Sequence, residues 1–323
     1  MKSWISGETP GIDHLQQNQI DIPEPDAGTL LVKVSYGAMN FSDLLMIAEE
    51  YQVRPPRPFT PGQELSGIVE QVPAGSSFKP GDRVASKVLW GAFADYALVR
   101  ADMAIPIPPS IDLATAAALP VVYVTALVAL DHCAKTSPKA RVLVHAAAGG
   151  IGLAAVEVAK ARGATVIATA SSPKKLALAK AHGADHGINY GDADWVDQVK
   201  AATDGRGADI IVDPVGGQIG EDSLRCIATD GVYLIVGFAS GKMPKLAPHR
   251  LLLKRASAKG VYWNHDTDAK MLQQVTSDMT GLLADGKLNP VISHQYDFND
   301  LPTALDDLAN RRATGKNLLD INP

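Results

Sequence analysis

The chain has 323 residues, enough to bury a substantial core and more than most single domains contain, so two domains are expected. Apolar residues make up 46% and charged ones 20%, and a net charge of −5 with a pI near 5.9 gives no general drive toward nucleic acid or an anionic membrane. Two cysteines, Cys133 and Cys226, can form neither a disulfide framework nor a cysteine-rich zinc site, and the start MKSWISGETPGIDH lacks the apolar core of a signal peptide, so a cytoplasmic location is expected.

Up to about residue 110 short strands are predicted: LLVKVSYGAM (30–39), ELSGIVEQV (64–72), DRVASKV (82–88) and FADYALV (93–99) are rich in β-branched and aromatic residues. Turns in PAGSSFKPGD and RPPRPFTPG separate them, which predicts a compact, mostly β unit. LATAAALPVVYVTALVAL (113–130) is nearly long enough to span a membrane, but it carries Pro120 and stands without flanking membrane signals, so a buried helix is expected. From residue 140 strands alternate with helices: RVLVHAA, LAAVEVAKARG, TVIATAS, PKKLALAKAHG, HGINY, DWVDQVKAAT, DIIVDPVGG, a helix in EDSLRCIATDG, YLIVGFASG and AKGVYW. Repeated βα units with near-continuous apolar strands predict an α/β fold with a Rossmann-type, doubly wound parallel sheet. The tail from 264 contains two helical segments and two strands, VISHQYDF and KNLLDI, expected to return to the first unit. The expected domains are therefore 1–115 with 264–323, and 116–263.

The strongest local signal is ARVLVHAAAGGIGLAAVEVAKARGATVIATAS. Ala147-x-Gly149-x-x-Gly152, with Gly150 and Ile151 inside it, fits the dinucleotide fingerprint with Ala in place of the first glycine. Glycine lets the backbone approach a pyrophosphate, and the helix start supplies free N–H groups and a positive dipole end. Where an NAD enzyme places Asp or Glu to hold the ribose 2′-hydroxyl, this chain has Ala170, Ser171 and Ser172, then Lys174 and Lys175. Hydroxyls and ammonium groups suit a 2′-phosphate, so NADPH is the expected cofactor. The alternative is that the lysines are only a solvated first helical turn.

With NFSDLLM, TPGQELSGIVE, KPGDRV, FADYALV and AAAGGIG, the chain resembles the medium-chain dehydrogenase/reductase superfamily over essentially its whole length, and within it the zinc-independent NADPH:quinone oxidoreductase (zeta-crystallin-like) group. The resemblance implies a chaperonin-10-like catalytic domain, with the active site in its cleft against the Rossmann domain, and a homodimer through the sheet edge near AKGVYW (258–263). Zinc alcohol dehydrogenases of the superfamily use a cysteine and the histidine of a G-H-E motif; here Asn40 stands in the region of that cysteine and Gln63 replaces the histidine. The segment GDRVASKVLWGAFADY carries no cysteine lobe for a second zinc, and the eight histidines, His182 and His186 included, show no ligand frame, so no metal is expected. Glu64 is then expected to be structural, with its carboxylate tied to neighbouring backbone or cationic groups.

The resemblance also implies Asn40 and Tyr51 as cleft residues that could hydrogen-bond a quinone oxygen or an ordered water. A second tyrosine found between them in some quinone reductases is Leu45 here. It implies Lys175 and Tyr190 at the adenosine 2′-phosphate, with Arg312 of RRATGK as a further candidate, and Thr125, Gly237 and Phe238 along the nicotinamide. Ordinary structural roles stay open for each: a turn for Asn40, loop packing for Tyr51, a solvated helix end for Arg312, packing for the last three. Without a Lewis acid, direct hydride exchange with a simple alcohol loses its means of activating the hydroxyl, so the expected acceptor is a quinone or an α,β-unsaturated carbonyl. The alternatives are enoyl-thioester reduction, raised by the basic segment PHRLLLKR (248–255), and a non-catalytic NADPH-binding protein.

Overall fold

The β-branched and aromatic runs at the start of the chain form strands, as their pattern predicts. β1 (Lys2–Ser6) and β2 (Leu15–Gln19) make a two-stranded antiparallel ribbon. There follow β3 (Thr29–Ala38), α1 (Phe41–Ile47), β4 (Glu64–Gln71), β5 (Arg83–Lys87), β6 (Tyr96–Arg100), the short β7 (Ile105–Pro106) and α2 (Leu113–Ala117). Trp4, Leu30, Val32, Val34, Met39, Leu65 and Phe93 are among the residues of their shared core. The computed structural model describes residues 1–322.

The apolar stretch 113–130 is not one helix. α2 stops before Pro120, and α3 begins at Val122 (Val122–Leu127) and runs into a π-helical turn over Val128–Cys133. Proline offers no N–H to the preceding turn and disfavours helical backbone in the residue before it, so the helix breaks there. The break leaves the Val121 N–H outside any helix, and it donates to Glu64 Oε1 at 2.6 Å.

The second unit, Val122–Asn289, alternates strand and helix. It comprises β8 (Arg141–Val144), α4 (Gly150–Ala161), β9 (Thr165–Ala170), α5 (Pro173–Ala181), β10 (His186–Asn189), α6 (Trp195–Ala201), β11 (Ala208–Asp213), α7 (Gly217–Ser223), β12 (Ile227–Ile235), α8 (Pro248–Lys254), β13 (Ser257–Gly260) and α9 (His265–Ala284). Its strands form one parallel sheet in the order β10-β9-β8-β11-β12-β13, so the chain starts in the middle and winds outward in both directions. That reversal between β8 and β11 is the topological switch point at which such sheets bind ligands beyond their carboxyl ends.

Two expectations change here. Residues 227–230 belong to β12 rather than to a helix through EDSLRCIATDG; Ile227 pairs with Ala208, and the register shifts before Val232 pairs with Ile210. The helix α9 stays in the second unit, with Leu272, Val275, Met279 and Leu282 buried, and the chain returns to the first unit only at Pro290, not at 264.

After Pro290 come β14 (Ile292–Asp297), α10 (Leu301–Ala309) and β15 (Lys316–Asp320). They complete a seven-stranded sheet in the order β14-β15-β3-β4-β5-β7, with β6 also pairing β3. β15 lies antiparallel to β3 with Leu318 opposite Ala38, β4 antiparallel to β3 with Leu65 opposite Gly37, and β5 antiparallel to β4 with Lys87 opposite Glu64. The start of β15, the end of β3, the start of β4 and the end of β5 therefore lie side by side. Four adjacent strands thus bring Lys316, Asn40, Glu64 and Lys87 to one edge of one sheet.

Candidate active site

At that edge the chain builds a buried polar cluster. Lys316 is 4% exposed and Glu64 is fully buried, and they form an ion pair at 2.8 Å. The Lys316 ammonium donates to the Met39 carbonyl (2.7 Å), to Asn40 Oδ1 (2.7 Å) and to Glu64 Oε2 (2.8 Å), so its three hydrogens all have acceptors. Glu64 accepts in addition from Asn40 Nδ2 (3.0 Å) and from the Val121 N–H. Glu64 is thus tied to a cation and to backbone, as its sequence context predicts. Burying two charges costs several kcal/mol per ion, and such a pair persists where the remaining donors and acceptors are matched, as they are here.

Asn40 caps α1. Its N–H donates to Asp43 Oδ2 at 2.8 Å, and the Asp43 N–H donates back to the Asn40 carbonyl at 3.0 Å. Its side-chain Nδ2 reaches the Ala38 carbonyl (3.3 Å) as well as Glu64. Both amide hydrogens of Asn40 are therefore engaged within the protein. Tyr51 lies beyond the other end of α1, half-buried, with its N–H on the Leu45 carbonyl at 3.1 Å.

Asp43 is buried beside one ammonium that already serves Glu64. Burial pushes its carboxyl up to about 7, and the Glu64 carboxylate adds to the rise while the Asn40 N–H and Lys316 oppose it. Its Oδ1 has no hydrogen-bond partner. With Asp43 protonated, the Glu64 and Lys316 charges balance. Lys87, facing Glu64 across the β4–β5 pair, has its pKa lowered by burial while Glu64 pulls it the other way.

The PGQE segment is held from its backbone. Gly62 adopts φ +101°, in the left-handed region, and a Cβ there would lie 2.8 Å from the Phe93 ring. The Pro61, Gly62 and Gln63 carbonyls accept from the N–H groups of Phe93 (3.0 Å), Ala92 (3.1 Å) and Val88 (2.8 Å). The Gln63 side chain, 3% exposed, accepts a hydrogen bond from Ser42 Oγ through Oε1.

This donor set does not fit zinc. Asn40 and Gln63 offer amides, which are poor zinc ligands, and the Glu64 carboxylate is neutralised by an ammonium that would repel a divalent cation. Among the described residues, no group of three or more His, Cys, Asp or Glu is placed to hold a metal ion. His182 bonds Glu157 at 2.6 Å. Cys226 is buried, with its thiol pushed up to about 12 by burial.

In the second unit, the glycine turn follows β8. Ala146 takes φ +46°, the Ala147 N–H donates to the Thr169 carbonyl at 2.9 Å, and Gly149 caps α4. A Cβ on Gly152 would lie 2.2 Å from the Ala146 carbonyl oxygen, so only glycine allows this approach of helix to strand. At the helix start the N–H groups of Gly150, Ile151 and Gly152 have no acceptor within the helix, the arrangement that suits an anion. Behind the turn His145 is buried between Thr169 Oγ1 (2.8 Å) and Ser223 Oγ (2.7 Å), and burial lowers its pKa, which keeps it neutral.

The next strand end brings Ser171 and Ser172 into the same neighbourhood. Ser172 caps α5 by accepting from the Lys175 N–H at 3.4 Å. Tyr190 follows β10, whose Asn189 lies opposite Ala170 at the end of β9, so Ser171, Ser172, Lys175 and Tyr190 sit at adjacent carboxyl ends. No carboxylate stands at the end of β9, and the residues present fit a dinucleotide with a 2′-phosphate. Gly237 and Phe238 follow β12, and this loop is pinned to the end of β11 by the Val236 and Ala239 N–H groups on the Asp213 and Pro214 carbonyls (both 3.0 Å). Thr125, on α3, accepts from Trp263 Nε1 at 3.0 Å.

Arg312 belongs to the first unit and is half-exposed, and its Nε bonds Asp307 (2.5 Å) while its Nη2 bonds Asp306 (2.5 Å). Two carboxylates thus already engage its guanidinium, and a phosphate there would have to compete with them. Lys316, four residues on in the same RRATGK stretch, is the buried member of the cluster that sequence reasoning passed over. The only local signal is a lysine opening an otherwise apolar strand, NLLDI.

A pH dependence follows from Asp43. Its native pKa of about 7 lies above the unfolded value of about 4, so the native state holds the proton more tightly. The stability Asp43 contributes is full below pH 4 and is lost as pH rises toward 7. Relative to wild type, Asp43→Asn is expected to gain stability steadily from pH 4 to 8, read as a growing Tm difference by calorimetry. A pH-independent difference would contradict this.

Comparison with known proteins agrees with both units. The family described as alcohol dehydrogenase GroES-like domain matches residues 26–109, and that described as zinc-binding dehydrogenase matches residues 150–279. The chain is 36% identical to quinone oxidoreductase-like protein 2 of Rattus norvegicus over 294 residues, 90% of this chain and 84% of that protein. It is 32% identical to the quinone oxidoreductase of Sus scrofa over 306 residues, 94% of this chain and 92% of that one. The crystal structure of Escherichia coli quinone oxidoreductase complexed with NADPH superposes with a TM-score of 0.92 at 28% identity, covering 99% of this chain and all of the other. The quinone oxidoreductase of Thermus thermophilus gives a TM-score of 0.86 at 31% identity over 99% of this chain and 100% of that one. With both domain families matched and full-length relatives above 30% identity, the chain belongs to the quinone oxidoreductase group of the medium-chain dehydrogenase/reductase superfamily.

Proposed function

We propose that this oxidoreductase uses NADPH to transfer hydride to quinones or α,β-unsaturated carbonyls, without zinc. The observation that carries the reading is the Lys316 ammonium hydrogen-bonded to Glu64 and Asn40 at the strand ends where zinc relatives bind their metal. A site so built lacks the Lewis acid that activates an alcohol, whereas a conjugated carbonyl needs none. The names of the relatives, and the NADPH in the Escherichia coli structure, support the same reading.

When bound, NADPH supplies a hydride from nicotinamide C4. The turn from Ala147 through Gly149, Gly150, Ile151 and Gly152 receives the pyrophosphate on backbone N–H groups. Ser171, Ser172, Lys175 and Tyr190 hold the 2′-phosphate, and Thr125, Gly237 and Phe238 line the nicotinamide. Tyr51 lines the acceptor site. Asn40, its amide hydrogens engaged by Glu64 and Ala38, shapes that site and anchors α1 rather than donating from Nδ2. Hydride adds to the electrophilic carbon, negative charge collects on the carbonyl oxygen, and a solvent proton completes the hydroquinone or saturated carbonyl.

The proposal includes a homodimer through β13. This strand pairs only with β12, leaving one edge open, and the exposed Leu252, Leu253 (78% each) and Tyr262 (77%) lie on segments flanking it. A cytoplasmic location is supported by two free thiols. No helix among the described residues is long and apolar enough to cross a membrane.

NADPH oxidation is expected with 1,4-benzoquinone and 9,10-phenanthrenequinone, unchanged by chelators. Preference for crotonyl-CoA would turn the reading to enoyl-thioester reduction, and tight NADPH binding without turnover on any quinone or enone would refute an enzymatic role. Lys175→Ala is expected to raise KM for NADPH about tenfold or more while leaving NADH within about twofold, because only NADPH carries the 2′-phosphate. Equal losses for both cofactors would show that Lys175 does not hold the phosphate.

A further inference from the structure

We infer that Gln63 is the hydrogen-bond donor to the acceptor's carbonyl oxygen, the atom on which negative charge develops; this rests on the hydride-transfer reading above. The side chain is 97% buried, yet its amide is only half used. Oε1 accepts from Ser42 Oγ, while Nε2 donates to no described residue. Nor is Nε2 among the unpartnered polar side-chain atoms sealed from solvent, which are Asp43 Oδ1, Asp95 Oδ1 and Asn317 Nδ2. Nε2 is therefore not sealed off, although the residue is 3% exposed. A donor held in this way, in a largely buried side chain, is satisfied by something outside the chain, water at rest and a ligand oxygen in use.

Three further features fit a carbonyl that becomes anionic. The Gln63 backbone is clamped by the Val88 N–H on its carbonyl and by the bonds to Pro61 and Gly62, and Ser42 fixes the amide orientation, so the donor is preorganised. With Asp43 protonated, the nearby charges favour an anion: Glu64 is answered by Lys316, and Lys87 adds a second ammonium on the same sheet edge. Directly after Val88, whose N–H bonds the Gln63 carbonyl, come Leu89 and Trp90, 54% and 37% exposed, apolar side chains of the kind a planar conjugated ring packs on. Among the amide side chains of the cluster, Asn40 has both Nδ2 hydrogens occupied and Gln63 has neither Nε2 hydrogen occupied.

The step balances with NADPH as the reductant. A hydride with its two electrons forms a C–H bond at the electrophilic carbon, the C=C or ring π pair shifts, and the carbonyl oxygen takes the negative charge. Gln63 Nε2–H bonds that oxygen and keeps its proton, and a solvent proton neutralises the product. Ser42 is a positioning residue in this scheme, acting through Gln63.

The test uses Gln63→Met, nearly isosteric and without a donor. On the NADP⁺-loaded protein at pH 6, where Asp43 is largely protonated, binding of 2,4-dinitrophenolate, an anionic mimic of the reduced acceptor, is titrated by its absorbance. Gln63→Met is expected to weaken it roughly ten- to a hundredfold, with NADP⁺ affinity and Tm little changed. The same variant is expected to lower kcat with 1,4-benzoquinone by a similar factor while KM for NADPH holds, and Ser42→Ala to lower kcat by less. Should Gln63→Met fail to fold, Gln63→Glu keeps an acceptor for Ser42 and removes the donor. Equal phenolate binding by wild type and variant overturns the inference. Wild-type turnover with quinones and an unchanged kcat in Gln63→Met overturns it and leaves the hydride-transfer reading standing. A wild type that reduces no quinone or enone yet binds phenolate through Gln63 sinks that reading and supports the donor.

Discussion

A single buried ion pair organises the catalytic edge of the first unit. Lys316 and Glu64 come from strands 252 positions apart in sequence, yet β3 between them closes the gap to 2.8 Å. The desolvation of both charges is offset only because every group around them is matched: three acceptors for the ammonium, and donors from Lys316, Asn40 and Val121 for the carboxylate. Asn40, and through it the start of α1, is held by both members of the pair. The same constraint explains Asp43. Burial raises its carboxyl to about 7, and the neighbouring Glu64 carboxylate adds to the rise while the Asn40 N–H and Lys316, already bonded to Glu64, oppose it.

The two units solve the problem of holding polar ligands in different ways. The second relies on backbone: a helix start after β8, glycines where a Cβ would strike carbonyl oxygen, and adjacent strand ends bearing hydroxyls and a lysine. The first relies on side chains locked to one another. A buried lysine keeps positive charge at the strand ends. Under the proposed function this charge suits chemistry that needs charge stabilisation but no hydroxyl activation, with Gln63 as the proposed donor.

Much of this was legible in the sequence because short-range signals carried it. The βα alternation showed in apolar strands such as VLV and IIV, buried on both sides, and the glycine turn showed by spacing alone. Gln63 was conspicuous because it replaces a metal-binding histidine in a recognisable motif. Lys316 was not, since nothing local says that a lysine opening a strand will lie under Asn40; that follows from strand order. Arg312, in the same stretch, drew attention as a cation near the end of the chain, and only the positions of Asp306 and Asp307 show it to be occupied elsewhere. The helix expected over 113–130 failed at Pro120, whose break leaves Val121 free to bond Glu64. At 227–230 the helical reading yielded to pairing with β11, because tertiary contacts outweigh weak local preference.

The central claim is that Glu64 and Lys316 depend on each other inside the protein. A double-mutant cycle on unfolding free energy, with Glu64→Gln, Lys316→Met and the double variant, tests it most directly. Each single variant strands a buried polar partner and is expected to cost about 3–5 kcal/mol, with the double variant costing much less than their sum and a coupling above about 2 kcal/mol. Additive losses with no coupling would contradict the account.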